Sequence, residues 1–308
     1  MPIVNRLSFA APAVALIISL AGCQTVQQPD WPLPPGVKTL TTNGYPMAYV
    51  ERGSGPTIVL VHGSLNDYRY WAPQLDTLSS RFRVVSVSLR HYYPERWSGE
   101  GNFGLEQHAA DVAVLIEKLN TGPVYLVGWS RGGQVVVRTA LARPDLVRKL
   151  LLMDPALTEL APPSKPASAE NVVVARVVAR AKATEVYFRK GDIAGGLEYF
   201  FDDVNGKGAW KRLTEVQRQF RLENAWTVVG QAADGKARPI SCDEIGNIKI
   251  PVLLMTGDKS PPHFRPILDA YQRCQSAAAR ITIPNAAHQM SQMNPGAVNA
   301  ALTKFFLE

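Results

Sequence analysis

From residue 57 onward the chain alternates between two hydrophobic rhythms. Short runs that are apolar almost throughout stand at 57–61, 83–88, 124–127, 147–153 and 252–255. Between them, at 68–78, 105–119, 132–142, 266–274 and 295–306, apolar residues recur every three or four positions. The first rhythm is that of strands buried on both faces and the second that of helices with one apolar side. Their alternation predicts an α/β fold, a mostly parallel sheet with helices on both faces. Upstream, the β-prone stretches 39–42 and 45–50 flank Asn43-Gly44, a two-residue turn signal that adds an antiparallel hairpin.

Ligands of such sheets bind at the carboxyl ends of the strands. At that edge fall His62-Gly63, Ser130, Asp154, Asp258 and His288. The most informative stretch is 124–133, Val-Tyr-Leu-Val-Gly-Trp-Ser-Arg-Gly-Gly, where an apolar run stops at a serine bracketed by glycines. Gly128, Ser130 and Gly132 fit a nucleophile elbow, a strained turn that lifts the hydroxyl above the end of the sheet. Read without its context, the same stretch is a glycine-rich helix start with Ser130 as a cap.

With a late histidine in the order Ser, acid, His, the chain resembles the alpha/beta-hydrolase superfamily over about residues 37–308. The resemblance implies that Ser130 is the nucleophile and that His288, in Ile283-Pro284-Asn285-Ala286-Ala287-His288, is its base. It also implies that the backbone N–H groups of Ser64 and Arg131 form the oxyanion hole, and that His62 braces its own loop, His62-Gly63-Ser64, without carrying a proton in the reaction. The acid departs from the family's commonest pattern, a carboxylate three residues beyond the glycine that ends the penultimate strand. Gly257 is followed there by Ser260, with Asp258 two positions early. Asp154, ending the 149–154 run, occupies the place used by relatives that take the acid from the preceding strand. It is favoured here, with Asp258 the alternative. Either would hold the imidazole tautomer and stabilise its cation.

An insertion after the sixth strand carries helical signals at 171–189, 193–201 and 209–229. By resemblance it is a helical cap, at about 158–238, with 162–166 as its hinge. Arg176, Arg180 and Lys182 read as a solvated face, and the cap aromatics mostly as cap core. Trp71, Tyr92, Tyr93 and Trp97 read as pocket wall, with His263 at its edge.

The first 22 residues have the form of an export signal: Arg6, an apolar run from Leu7 to Leu20, then Leu20-Ala21-Gly22-Cys23. The tetrapeptide resembles the bacterial lipobox, which implies cleavage before Cys23 and lipidation of that cysteine. Gln24 in place of Asp favours the outer membrane, facing the periplasm. Residues 23–36 are polar and proline-rich and read as a tether. Export permits oxidation, and Cys242 and Cys274 are the cysteines left for a disulfide. Two separate thiols are the alternative.

Of 308 residues, 46% are hydrophobic and 19% charged, enough for one large core and at most two domains. The formal net charge of +7 is not clustered and gives no reason to expect nucleic acid as a partner. No Cys/His cluster has zinc-site spacing, so neither a metal nor another cofactor is expected. The reading is a serine hydrolase that cleaves an ester, thioester or related acyl bond of a small molecule through an acyl-enzyme. The alternatives are carbon–carbon bond hydrolysis or a lyase reaction on the same residues, or non-catalytic ligand binding. Oligomeric state is not legible.

Overall fold

The computed structural model describes residues 29–160 and 169–308. Its strands are β1 Lys38–Thr42, β2 Tyr45–Arg52, β3 Thr57–Val61, β4 Arg83–Val87, β5 Val124–Trp129, β6 Val147–Met153, β7 Val252–Gly257 and β8 Ala279–Ile283. They form one sheet in the order β1-β2-β4-β3-β5-β6-β7-β8. The hairpin β1–β2 turns at Asn43 and Gly44, both at positive φ, and β2 runs antiparallel to β4. All pairings from β4 to β8 are parallel.

The helices are α1 Ala72–Leu78, α2 Leu105–Leu119, α3 Arg131–Ala142, α4 Ala169–Arg189, α5 Ile193–Asn205, α6 Glu215–Glu223, α7 Thr227–Gly230, α8 Cys242–Gly246, α9 Phe264–Cys274, α10 Met290–Met293 and α11 Pro295–Leu307. The two sheet faces are sealed separately. Val59 and Val61 pack with residues of α2, α3 and α9, while Ile58 and Leu60 pack with residues of α1 and α11. Burial of alternate side chains on opposite faces is why these strands are apolar at every position.

The chain runs from β3 outward to β4 and then returns past β3 to β5. This reversal of strand order opens a crevice beyond the carboxyl ends of β3 and β5, the place where such sheets take ligands.

Helices α4 to α7 and the 3-10 turn Gln231–Lys236 form the cap over that crevice. Leu197, Phe200, Phe201, Trp210 and Val228 make a core of their own, joined by Leu65 from the loop after β3. The helix expected over 209–229 is broken. Asp202 accepts hydrogen bonds from the N–H groups of Gly208 and Trp210 at 2.6 and 2.8 Å, turning the chain there. A fresh helix starts only at Glu215, under a capping box made by Thr214 and Gln217. Residues 162–166, expected as hinge, lie outside the described residues, as do the expected signal and Cys23.

Cys242, the first residue of α8, is joined to Cys274, the last residue of α9, with a Cα–Cα distance of 5.0 Å. Helix α9 returns antiparallel to β7 and brings its carboxyl end back to the segment that enters that strand.

Candidate active site

Three strand ends and one loop converge on Ser130. The turn from β5 into α3 leaves Ser130 at φ 54°, ψ −123°, a strained conformation for a residue with a side chain. Close packing permits it. A Cβ on Gly128 would stand 2.6 Å from the carbonyl oxygen of Gly132, and one on Gly63 would stand 2.7 Å from Cβ of Ser130. Only hydrogen fits at either place.

His288 follows β8 and reaches Ser130 from the side, with its Nε2 3.1 Å from Ser130 Oγ. Its Nδ1 lies 3.2 Å from Oδ2 of Asp154, at the end of β6. With Nδ1 donating to the carboxylate, Nε2 presents a lone pair to the serine hydroxyl. The imidazole is held from several directions. The Phe264 ring stacks on it at 4.4 Å, the Trp129 ring stands 4.9 Å away, and Trp129 Nε1 donates to the His288 carbonyl at 2.8 Å. Ser130, Asp154 and His288 are all buried, Asp154 fully.

The two aspartates separate by partner. Asp154 Oδ2 also accepts the hydroxyl hydrogen of Ser260 at 2.5 Å, and Ser260 Oγ accepts the Gly257 N–H at 3.1 Å. Asp258, weighed as the alternative acid, does not reach the imidazole. Its oxygens accept the backbone N–H groups of Asn285 and Ala286 at 2.9 and 3.0 Å, and those two donors hold its carboxyl below the usual aspartate range. It shapes the loop that carries His288. The reason is register: β7 delivers Asp258 to the start of that loop, whereas β6, next to β5, ends beside Ser130.

The backbone N–H of Ser64 stands on the loop after β3 and that of Arg131 at the first residue of α3. Among the described residues neither donates to a protein acceptor. His62 is fully buried and neutral, its pKa lowered to about 4 by desolvation. Its Nε2 accepts the Leu89 N–H at 3.1 Å, so Nδ1 carries the proton and donates to the Gly63 carbonyl at 2.8 Å. The ring thus braces the loop that presents Ser64.

A cavity of about 320 Å³ lies between this edge and the cap. Its wall includes Leu65, Trp129, Phe200, Phe201, Phe264 and His263, with charged Arg138, Glu159, Arg180 and Asp203 also facing it. Arg180 is therefore not part of a solvated face: its Nη1 donates to Asp203 at 2.9 Å beside the cavity. Trp71, Tyr92, Tyr93 and Trp97 are not its wall. Trp71 and Tyr92 are buried in opposite layers of the sheet core, Trp97 stacks on His91, and the Tyr93 ring lies under the Arg69 guanidinium.

Sequence reasoning did not find the contacts of Gln231 and Asp234. Gln231 Oε1 accepts from Ser64 Oγ at 3.2 Å, and Asp234 holds the Arg131 guanidinium through two bonds of 2.7 Å. Both residues sit in a cap turn whose local pattern carries no sign of where it will dock. Ser260 was visible by position, as the residue standing where the commonest pattern has its acid, but not by role.

A family model described as "Alpha/beta hydrolase family" matches residues 58–301. The chain is 24% identical over 273 residues to (E)-2-((N-methylformamido)methylene)succinate hydrolase of Acinetobacter baylyi, covering 86% of this chain and 96% of the relative. It is 25% identical over 272 residues to 2-(acetamidomethylene)succinate hydrolase of Mesorhizobium japonicum, covering 83% and 89%. Among solved structures, a thermophilic esterase from Thermogutta terrifontis with malate bound superposes with a TM-score of 0.68 at 25% identity, over 88% of this chain and 97% of the other.

Proposed function

Because the chain belongs to the alpha/beta hydrolase family, we propose that it is a serine hydrolase that cleaves an acyl bond through an acyl-enzyme on Ser130. The observation that carries this reading is the unbroken hydrogen-bonded line from Ser130 Oγ to His288 Nε2 and from His288 Nδ1 to Asp154.

In this reading Ser130 Oγ attacks the carbonyl carbon of the substrate as His288 Nε2 takes the hydroxyl proton. Asp154 stabilises the imidazolium that forms. The backbone N–H groups of Ser64 and Arg131 bind the oxyanion, each worth about 3 to 4 kcal/mol of barrier where such donors have been removed. The tetrahedral species collapses, the leaving group departs with the proton from His288, and Ser130 keeps the acyl group. Water, deprotonated by the same imidazole, then attacks the ester carbon, and Ser130 leaves with its proton restored. A cavity of about 320 Å³ suits a small acyl group. The two relatives named above carry the names of substrates with an acylated nitrogen, and the solved structure named with them is an esterase, which supports an acyl carbonyl as the target.

The test is burst release of p-nitrophenol from a short-chain p-nitrophenyl ester. Ser130→Ala and His288→Ala are each expected to lower turnover by orders of magnitude, with little added loss in the double variant. A folded single variant with near wild-type turnover overturns the reading. Hydrolysis of an N-acyl enamine in the same assay, set against the ester, separates amide from ester specificity.

We further propose that the protein is exported and anchored to the bacterial outer membrane, facing the periplasm, through a lipid on Cys23. The support is the sequence of residues 1–24. Cys23→Ser should move it out of the membrane fraction of a bacterial host or leave its signal uncleaved. Wild-type protein found wholly in the aqueous fraction sinks the proposal.

A further inference from the structure

One short turn of the cap, Gln231–Lys236, meets the catalytic edge at Ser64 and Arg131. Two side chains of that turn run to the two residues whose backbone N–H groups the reading above assigns to the oxyanion. Gln231 Oε1 accepts the Ser64 hydroxyl hydrogen at 3.2 Å. Asp234 accepts from Nε and Nη2 of Arg131, both at 2.7 Å, in a two-pronged charged pair. Most of these groups are buried: Gln231 is 3% exposed, and the Arg131 and Asp234 side chains are 5% and 9% exposed, with Ser64 half-buried.

Arg131 is held on its remaining sides as well. Its Nη1 donates to Nδ1 of His108 at 2.9 Å, and the Phe103 ring lies 5.0 Å from its guanidinium carbon. His108 is fully buried and uncharged, and its other nitrogen donates to the Arg90 carbonyl at 3.2 Å, which leaves Nδ1 free to accept. A guanidinium fixed on every side fixes the backbone it hangs from. Ser64 lies in an irregular loop between Gly63 and Leu65, the latter at φ 59°, where Asn66 Nδ2 donates to the Ser64 carbonyl at 2.9 Å and Gln231 takes its hydroxyl hydrogen. The two oxyanion donors, one on the loop after β3 and one at the start of α3, are thus both tied to one cap turn.

An oxyanion donor contributes only when its N–H is aimed at the position the charge will occupy, and displacements of about 1 Å cost about 100-fold in rate. We infer that the turn Gln231–Lys236 sets the geometry of the oxyanion pocket, with Gln231 and Asp234 as its positioning residues. The inference rests on the serine-hydrolase reading above. It makes the cap part of the rate-determining apparatus as well as the pocket roof. A cap that merely seals the cavity would instead show its loss in substrate affinity.

The test uses the full chain and four variants, Gln231→Leu, Ser64→Ala, Asp234→Asn and Asp234→Glu. Three quantities are read: kcat and KM on p-nitrophenyl acetate, the rate of Ser130 phosphonylation by a fluorophosphonate followed by intact mass, and the melting temperature. Phosphonylation needs no turnover, and its phosphoryl oxygen enters the same pocket. Gln231→Leu and Ser64→Ala should each lower kcat about 10-fold with KM little changed, and the double variant should be no worse than either, since both cut one link. Asp234→Asn should lower kcat about 100-fold, with partial recovery in Asp234→Glu. Phosphonylation should slow in parallel.

Should Asp234→Asn fail to fold, Gln231→Leu and Ser64→Ala decide alone. Unchanged kcat and phosphonylation in those folded variants, or a rise in KM alone, overturns the inference while wild-type labelling at Ser130 keeps the hydrolase reading intact. Wild-type protein that no fluorophosphonate labels overturns both.

Discussion

Ser260 donates its hydroxyl hydrogen to Asp154 Oδ2 at 2.5 Å, and that same oxygen faces His288 Nδ1 at 3.2 Å. The residue standing where the commonest pattern of the family has its acid thus bonds the carboxylate that the neighbouring strand places beside His288. A hydrogen bond to a charged group is worth about 1.5 to 3 kcal/mol, more than a neutral one, and this bond also fixes how the carboxylate is turned. Ser260→Ala is expected to lower kcat about 10-fold with KM unchanged, a loss of roughly 1.4 kcal/mol in the barrier. Steady-state kinetics of the folded variant checks it, and wild-type kcat would show that Asp154 is oriented without help.

Asp154→Asn and Asp258→Asn should differ sharply. The first is expected to cost about 10,000-fold in kcat, because an amide holds the imidazole in the wrong tautomer. The second removes an acceptor for the Asn285 and Ala286 N–H groups and should lower the melting temperature with only a modest rate loss. The double change Asp154→Asn with Ser260→Asp should recover part of the lost rate, since it restores a carboxylate at the alternative position. No recovery in a folded double variant would mean that a carboxylate at 260 cannot reach Nδ1.

Acid should unfold this protein early. His62 is neutral in the folded state down to about pH 4, against an ordinary value of 6.5, because burial disfavours its cation. Above 6.5 both folded and unfolded chains hold it neutral. As pH falls from 6.5 to 4 the unfolded chain takes up a proton that the folded chain refuses, so stability is lost over that window, by about 3 kcal/mol in full. His108, also depressed by burial, adds to the loss in the same direction. Urea unfolding at a series of pH values measures the slope, and His62→Asn should flatten it.

The Cys242–Cys274 disulfide closes a loop with a sequence separation of 32 residues. Such a loop restricts the unfolded chain by roughly 3 to 4 kcal/mol. Cys242→Ala with Cys274→Ala should lower the urea midpoint accordingly while leaving the rate of p-nitrophenol release in the test assay unchanged at low temperature, because the bridge sits at the opposite end of β7 from Asp258. A loss of turnover in the folded double variant would tie the bridge to the site.

Much of this architecture was legible in one dimension because its causes are local. Strands buried on both faces must be apolar throughout, helices packed on one side must repeat at three and four, and the elbow needs small residues where backbones nearly touch, as Gly128 does against Gly132. Ser130, His288 and the turn at His62-Gly63 follow from that logic and from a family resemblance. Tertiary structure decided the rest, where the deciding partner lies far along the chain. Asp154 and Asp258 both end strands at the same edge, and only the order β5-β6-β7 brings the first to the imidazole and leaves the second in a loop. The helix expected over 209–229 broke because Asp202 turns the chain at 208–210, which no periodicity records. Arg131 and Asp234 stand 103 positions apart, and Ser64 and Gln231 stand 167 apart. Contacts of that range depend on how the cap docks on the sheet, a relation set by packing and absent from any local pattern.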